Sequence, residues 1–70
     1  MNYKFPERLR EIRTEKGLSQ RQLSKELNGI ISYRSISLWE ANERIPNLQS
    51  VMLLAEFFGV DVDYLSGFED

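Results

Sequence analysis

The side chains best equipped for chemistry stand together between Ser32 and Pro46. A guanidinium such as that of Arg34 can donate two parallel hydrogen bonds to the O6 and N7 edge of guanine. Tyr33 and Leu38 suit a thymine methyl, Tyr33 also a phosphate and Leu38 also another protein, and Ser37 can hydrogen-bond a base edge. With Ser32 as N-cap, a short helix ending at Glu40 turns Ile36 and Trp39 inward and leaves Tyr33, Arg34, Ser37 and Leu38 on its other side. A second short helix precedes it, starting at Ser19 and Gln20. Such a helix pair is a device for reading a DNA major groove. Catalytic chemistry has no comparable foothold. The chain contains no His and no Cys, and no nucleophile beside a base or glycine-rich phosphate loop is present, so no enzyme is expected. No two ligand types share a metal-binding spacing, and neither metal nor cofactor is expected.

The elements that must position these residues can be placed from start and stop signals. Pro6 tolerates a missing N–H at the opening of a first helix, where Leu9, Ile12 and Arg13 follow at the spacing of a buried stripe, and Gly17 ends it. Ser19 and Gln22 form a capping box for the second helix, which turns Leu23 and Leu27 inward and closes at Asn28-Gly29. After the Ser32-capped helix, Asn42 suits a left-handed terminal residue, and Pro46-Asn47 stops one element and caps the next. The fourth helix runs to Gly59 with Leu48, Val51, Met52, Leu54, Ala55 and Phe58 as a wide apolar face. Asp61 caps a last short turn holding Val62, Tyr64 and Leu65. No segment alternates with period two for long, so the expectation is an all-α domain of five helices.

Seventy residues make one domain, 1–70, burying roughly 60% of the surface its unfolded chain exposes. Without Cys it must be stabilised by packed helices, and its composition suits a reducing cytoplasm. The longest apolar run, Val51 to Ala55, is far too short for a membrane span, and no signal peptide is seen. A formal net charge of −2 argues against a polyanion partner, but its distribution does not. Residues 1–46 carry nine basic side chains against six acidic ones, whereas residues 47–70 carry five acidic and no basic ones. The acidic tail can face away from DNA.

The string Leu9-x-x-Ile12-Arg13-x-x-x-Gly17-Leu18-Ser19-Gln20-x-x-Leu23, then Ser32-x-x-x-Ile36-Ser37-x-Trp39-Glu40-x-Asn42-x-Arg44-x-Pro46, then Leu54-Ala55 and Phe58-Gly59-Val60-x-x-x-Tyr64-Leu65 resembles the Cro and repressor type of helix-turn-helix protein, the XRE family. The resemblance covers nearly the whole chain. It implies a compact five-helix, lambda-repressor-like fold with the helix-turn-helix core at about 19–40, and sequence-specific binding of double-stranded DNA, usually as a homodimer. It also implies an ion pair between Arg13 and Glu40, with a phosphate contact by Arg13 as the alternative.

Within that resemblance, the helix of residues 32–40 enters the major groove, with Tyr33, Arg34, Ser37 and Leu38 reading bases. Phosphate contacts fall to Ser19, Gln20, Arg21, Ser35, Arg44 and Asn47, because free helix N-terminal N–H groups and cations favour an anion. Trp39, Phe57, Phe58 and Tyr64 are expected to fill the core rather than stack on bases, and Tyr3 and Phe5 to staple the first helix. Val60, Val62, Leu65 and Phe68 are candidates for a dimer interface, with closure of the core as the alternative. Three departures stand out: a turn of four residues, Asn28 to Ile31, about two longer than usual; Glu43 where a basic residue is frequent; and Ala41 in place of Asn. The resulting expectation is a transcriptional repressor on a palindromic operator. The alternative is a helix-turn-helix used to hold a protein partner, of antitoxin or antirepressor type.

Overall fold

Five helices form close to where the start and stop signals place them: α1 Phe5–Glu15, α2 Gln20–Glu26, α3 Tyr33–Glu40, α4 Leu48–Phe58 and α5 Val62–Ser66, although Asp61, expected to cap α5, precedes it without a side-chain cap bond. They are seen in a computed structural model that describes residues 2–69, with side chains described from Tyr3 to Gly67. The Ser19 hydroxyl accepts from the Gln22 N–H at 3.0 Å while the Gln22 side chain accepts from the Ser19 N–H at 2.7 Å, so the box is closed in both directions. Ser32 and Asn47 cap α3 and α4 by one bond each, accepting from the Ser35 and Ser50 N–H groups. Each such cap satisfies a donor that the helix leaves orphaned, at about 1 kcal/mol.

The helices end on left-handed residues. Asn42 has φ of 59°, its N–H reaches the Trp39 carbonyl and the Glu43 N–H reaches that of Leu38, the paired bonds of a Schellman motif. The stop is made by backbone, so Ala41 at this helix end removes nothing that the stop requires. Asn28 and Gly29 terminate α2 by the same pairing to Lys25 and Ser24.

The core is a single cluster in which Phe5, Leu9, Leu23, Ile36, Leu54 and Leu65 are the fully buried large side chains. Phe5 meets Trp39 edge-on, with ring centroids 6.1 Å apart, and Tyr3 stacks on Phe5. The wide face expected for α4 is narrower: Val51, Leu54 and Ala55 are buried, but Leu48 and Met52 are 64% and 52% exposed. Among the described residues no other element covers Leu48 and Met52. Tyr64 also departs from expectation, being largely outside the core with the Arg8 guanidinium 4.5 Å over its ring.

A feature without sequence warning ties the two ends. Asn2–Tyr3 (β1) pairs antiparallel with Phe68–Glu69 (β2), and the Lys4 N–H donates to the Gly67 carbonyl at 2.8 Å. Gly67 has φ of 72°, and a Cβ there would collide with the Lys4 and Phe5 backbone, so glycine is required twice over. Two-residue strands are too short to show an alternation. Among the described residues, no helix is long and apolar enough to cross a membrane.

Candidate nucleic-acid interface

Glu40 is the last residue of α3, yet among the described residues it is the charged one that is buried, its side chain 1% exposed. Arg13 of α1 grips it in two places, Nε to Oε2 at 2.7 Å and Nη2 to Oε1 at 2.8 Å, and spends its third nitrogen on the Leu18 carbonyl at 2.8 Å. This is the bidentate geometry that makes arginine–carboxylate pairs strong and directional. From α2, the Gln20 amide donates to Oε1 at 3.2 Å, and Arg10 adds a longer, largely exposed contact. Burial alone pushes the Glu40 carboxyl up, but hydrogen bonds from Arg13 and Gln20 with the charges of Arg13 and Arg10 outweigh it and hold the group below its usual range. The Arg13 guanidinium is correspondingly raised, first by its hydrogen bonds to Glu40. One carboxylate therefore joins α1 and α2 to the end of α3. All three guanidinium nitrogens of Arg13 are engaged at that junction, and its side chain is only 11% exposed.

The opposite end of α3 is built differently. Ile36 and Trp39 face the core, while Tyr33, Arg34 and Ser37 are exposed. Among the described residues Arg34 forms no hydrogen bond or ion pair. Leu38, expected on the outer face, is half-buried because the turn closing over Asn42 and Glu43 folds back toward it. The Ser32 hydroxyl, besides capping, donates to the Ser35 hydroxyl at 3.1 Å, so Ser35 belongs to the cap and keeps its own proton for another acceptor.

Arg21 and Tyr33 form a contact that sequence reading did not connect. The guanidinium of Arg21, in the first turn of α2, lies 4.0 Å over the Tyr33 ring in the first turn of α3. A cation is thus held over an aromatic face at the leading end of the exposed helix. The only sequence signal was that both residues occupy first turns of consecutive short helices. Ser19, Arg21, Arg44 and Asn47 are exposed, whereas Gln20 is half-buried with its side chain on Glu40. Glu43 is exposed in the same loop as Arg44.

The candidate dimer set is reduced by the structure. Leu65 has no exposed surface and closes the core, so it offers nothing to a second copy. Val60 and Val62 are half-buried against the core, and the Phe68 side chain lies outside the described residues.

Comparison with known proteins agrees with this architecture. Residues 9–65 match the sequence model of the helix-turn-helix family. The chain is 38% identical over 66 residues to the HTH-type transcriptional activator BcrR of Enterococcus faecalis, an alignment covering 94% of this chain and 31% of that protein. It is 33% identical over 66 residues to the uncharacterized HTH-type transcriptional regulator YobD of Bacillus subtilis strain 168, covering 94% of this chain and 57% of that protein. The chain therefore belongs to the helix-turn-helix family of DNA-binding transcriptional regulators, of the XRE type, and spans about a third to just over half of these relatives.

Proposed function

We propose that this member of the helix-turn-helix family binds operator DNA sequence-specifically as a homodimer, with residues 1–70 acting as one domain and α3 lying in the major groove. The observation that carries the reading is α3 itself: its inner face is core, its last residue is clamped by α1 and α2, and its first turn presents Tyr33 and Arg34 to solvent. Arg34 reads guanine through O6 and N7, and Tyr33 and Ser37 touch adjacent base edges. Leu38, half-buried, contributes its exposed edge to a thymine methyl.

Phosphates on either side are held by Ser19, the Gln20 N–H, Arg21, Ser35, Arg44 and the Asn47 end of α4, which fix register without reading sequence. A two-fold homodimer places two such helices in successive major grooves, about 34–36 Å apart on an inverted repeat. Exposed Ile45, Leu48 and Met52 adjoin the Arg44–Asn47 segment, and residues 45–55 carry no charge, which favours contact between like-charged copies on this side. Linking two weak half-site readers raises the effective concentration of the second.

Repression in the cytoplasm is the simplest consequence, since occupying a promoter requires only the reading surface. Selection from a randomised duplex pool at low salt tests the reading. An inverted repeat is expected, blurred at one position per half-site by Arg34→Ala. A folded protein that enriches no site, or one whose site is unchanged by Arg34→Ala, would overturn it.

A further inference from the structure

The four-residue turn before Ser32 does more than connect α2 to α3. Ile31 drops into the core at 4% exposure, while Ile30 stands 72% exposed. The turn is closed by hydrogen bonds: the Ile30 N–H donates to the Leu27 carbonyl at 3.1 Å, and the Ser24 hydroxyl donates to the Ile31 carbonyl at 2.6 Å. Ile30 is therefore presented by a fixed backbone. A lone exposed isoleucine would carry no meaning; its neighbours give it one.

Ile30 lines an open groove of ≈ 320 Å³ together with Leu27 and with Leu53 and Phe57, one turn apart on α4. Glu26, the last residue of α2, and Glu56 of α4 line the same groove. Among the described residues neither carboxylate has a hydrogen bond or ion pair. The Lys16 ammonium lies 5.6 Å from the Phe57 ring centroid. The volume lies at the small end of binding cavities, enough for one or two apolar side chains.

We propose that this groove docks a segment of a partner protein carrying one large apolar side chain flanked by Lys or Arg. Charge complementarity selects the occupant: the apolar side chain fills the space between Ile30, Leu53 and Phe57, and its basic neighbours pair with Glu26 and Glu56. The same two carboxylates repel nucleic acid, so the groove is a protein site separate from the surface around Arg34. Docking is independent of operator binding and acts beside it. Its pairs are at the rim of the groove, so they contribute salt-dependent selectivity, while the apolar side chain supplies the affinity.

The test is selection from a random linear peptide library on the immobilised chain, followed by titration of the enriched peptides into isotopically labelled protein. Peptides with an apolar residue beside Lys or Arg are expected, shifting amides at 26–30 and 53–57. Ile30→Ser should weaken binding about tenfold, as truncation at an apolar anchor does, and Glu56→Lys should weaken it and flatten its salt dependence. Both positions are exposed, so melting and duplex-DNA binding are expected to stay as in the parent chain, which separates failure of docking from failure of DNA reading. No enrichment, enrichment of acidic peptides, shifts elsewhere, or affinities indifferent to both substitutions would overturn the proposal. So would self-association of the free chain that Ile30→Ser abolishes, because the occupant would then be a second copy.

Discussion

The two ends of α3 are seven residues apart and could hardly be constructed more differently. At Glu40 a buried carboxylate accepts three side-chain hydrogen bonds from two other helices. At Tyr33 and Arg34 the helix has a serine cap, one cation held over a ring, and an arginine with no partner among the described residues. The difference teaches how a rigid reader is made from an eight-residue helix. Such a helix is too short to be stable alone, so one end is fixed by polar contacts and the core, and the other is left free of them to make contacts outside the molecule. On the proposed function, specificity would depend on the second end and its aim on the first.

The largest expected effect comes from breaking the fixed end. Glu40→Ala leaves Arg13 nearly buried without its partner, and a thermal melt should show a loss of about 3–5 kcal/mol, the usual consequence of one-sided removal of a buried pair. An unchanged transition would mean that packing alone holds α3. Acid should act on the same group. Because the folded carboxyl is held below its usual value of 4.5, its contribution is complete above that value and is lost as pH falls through the lower folded one. Melting temperature followed through this acid range should fall less steeply for Glu40→Gln than for the parent chain.

At the free end the signature reverses. Arg34→Ala should leave the melt within about 0.5 kcal/mol of the parent while costing roughly 1–3 kcal/mol of discrimination at one base pair per half-site, read by competition binding. Ser32→Ala sits between the two regimes. Loss of its cap should cost about 1 kcal/mol of stability and weaken binding to all duplexes through fraying of the first turn. The smallest effect belongs to Arg21→Ala, which should weaken all duplexes alike and reduce the salt slope by about one. If instead it alters the preferred sequence, the ring of Tyr33 is positioned by Arg21 and the two act together.

Legibility in the sequence follows the same division. Caps and left-handed stops are local chemistry, and the five helices could be placed from Ser19, Ser32, Asn42, Asn47 and Gly59. Arg13 and Glu40 were paired by resemblance, and no local rule would have joined residues so far apart. Sequence alone assigns Gln20 to a phosphate because helix starts attract anions; that its amide also reaches Glu40 depends on how α2 crosses α3. Surface exposure was hardest to read. Leu48 and Met52 have the spacing of a buried face, yet burial needs a neighbouring element and none lies there. Likewise Ile30 and Ile31 are the same residue type side by side, yet after the left-handed pair Asn28-Gly29 the first is exposed and the second is in the core.

The pairing of residues 2–3 with 68–69 has a consequence in time. It joins positions at nearly the greatest separation the chain permits, and the entropy lost on closing a loop grows with its length. The helices and the short connections among α1, α2 and α3 involve far nearer partners and form on a faster scale. The clasp is therefore expected to close late in folding and to open early, with the Lys4 amide exchanging its hydrogen sooner than the amides of the buried helices. Such an opening would leave α3 in place, because α3 packs on α1 and α2.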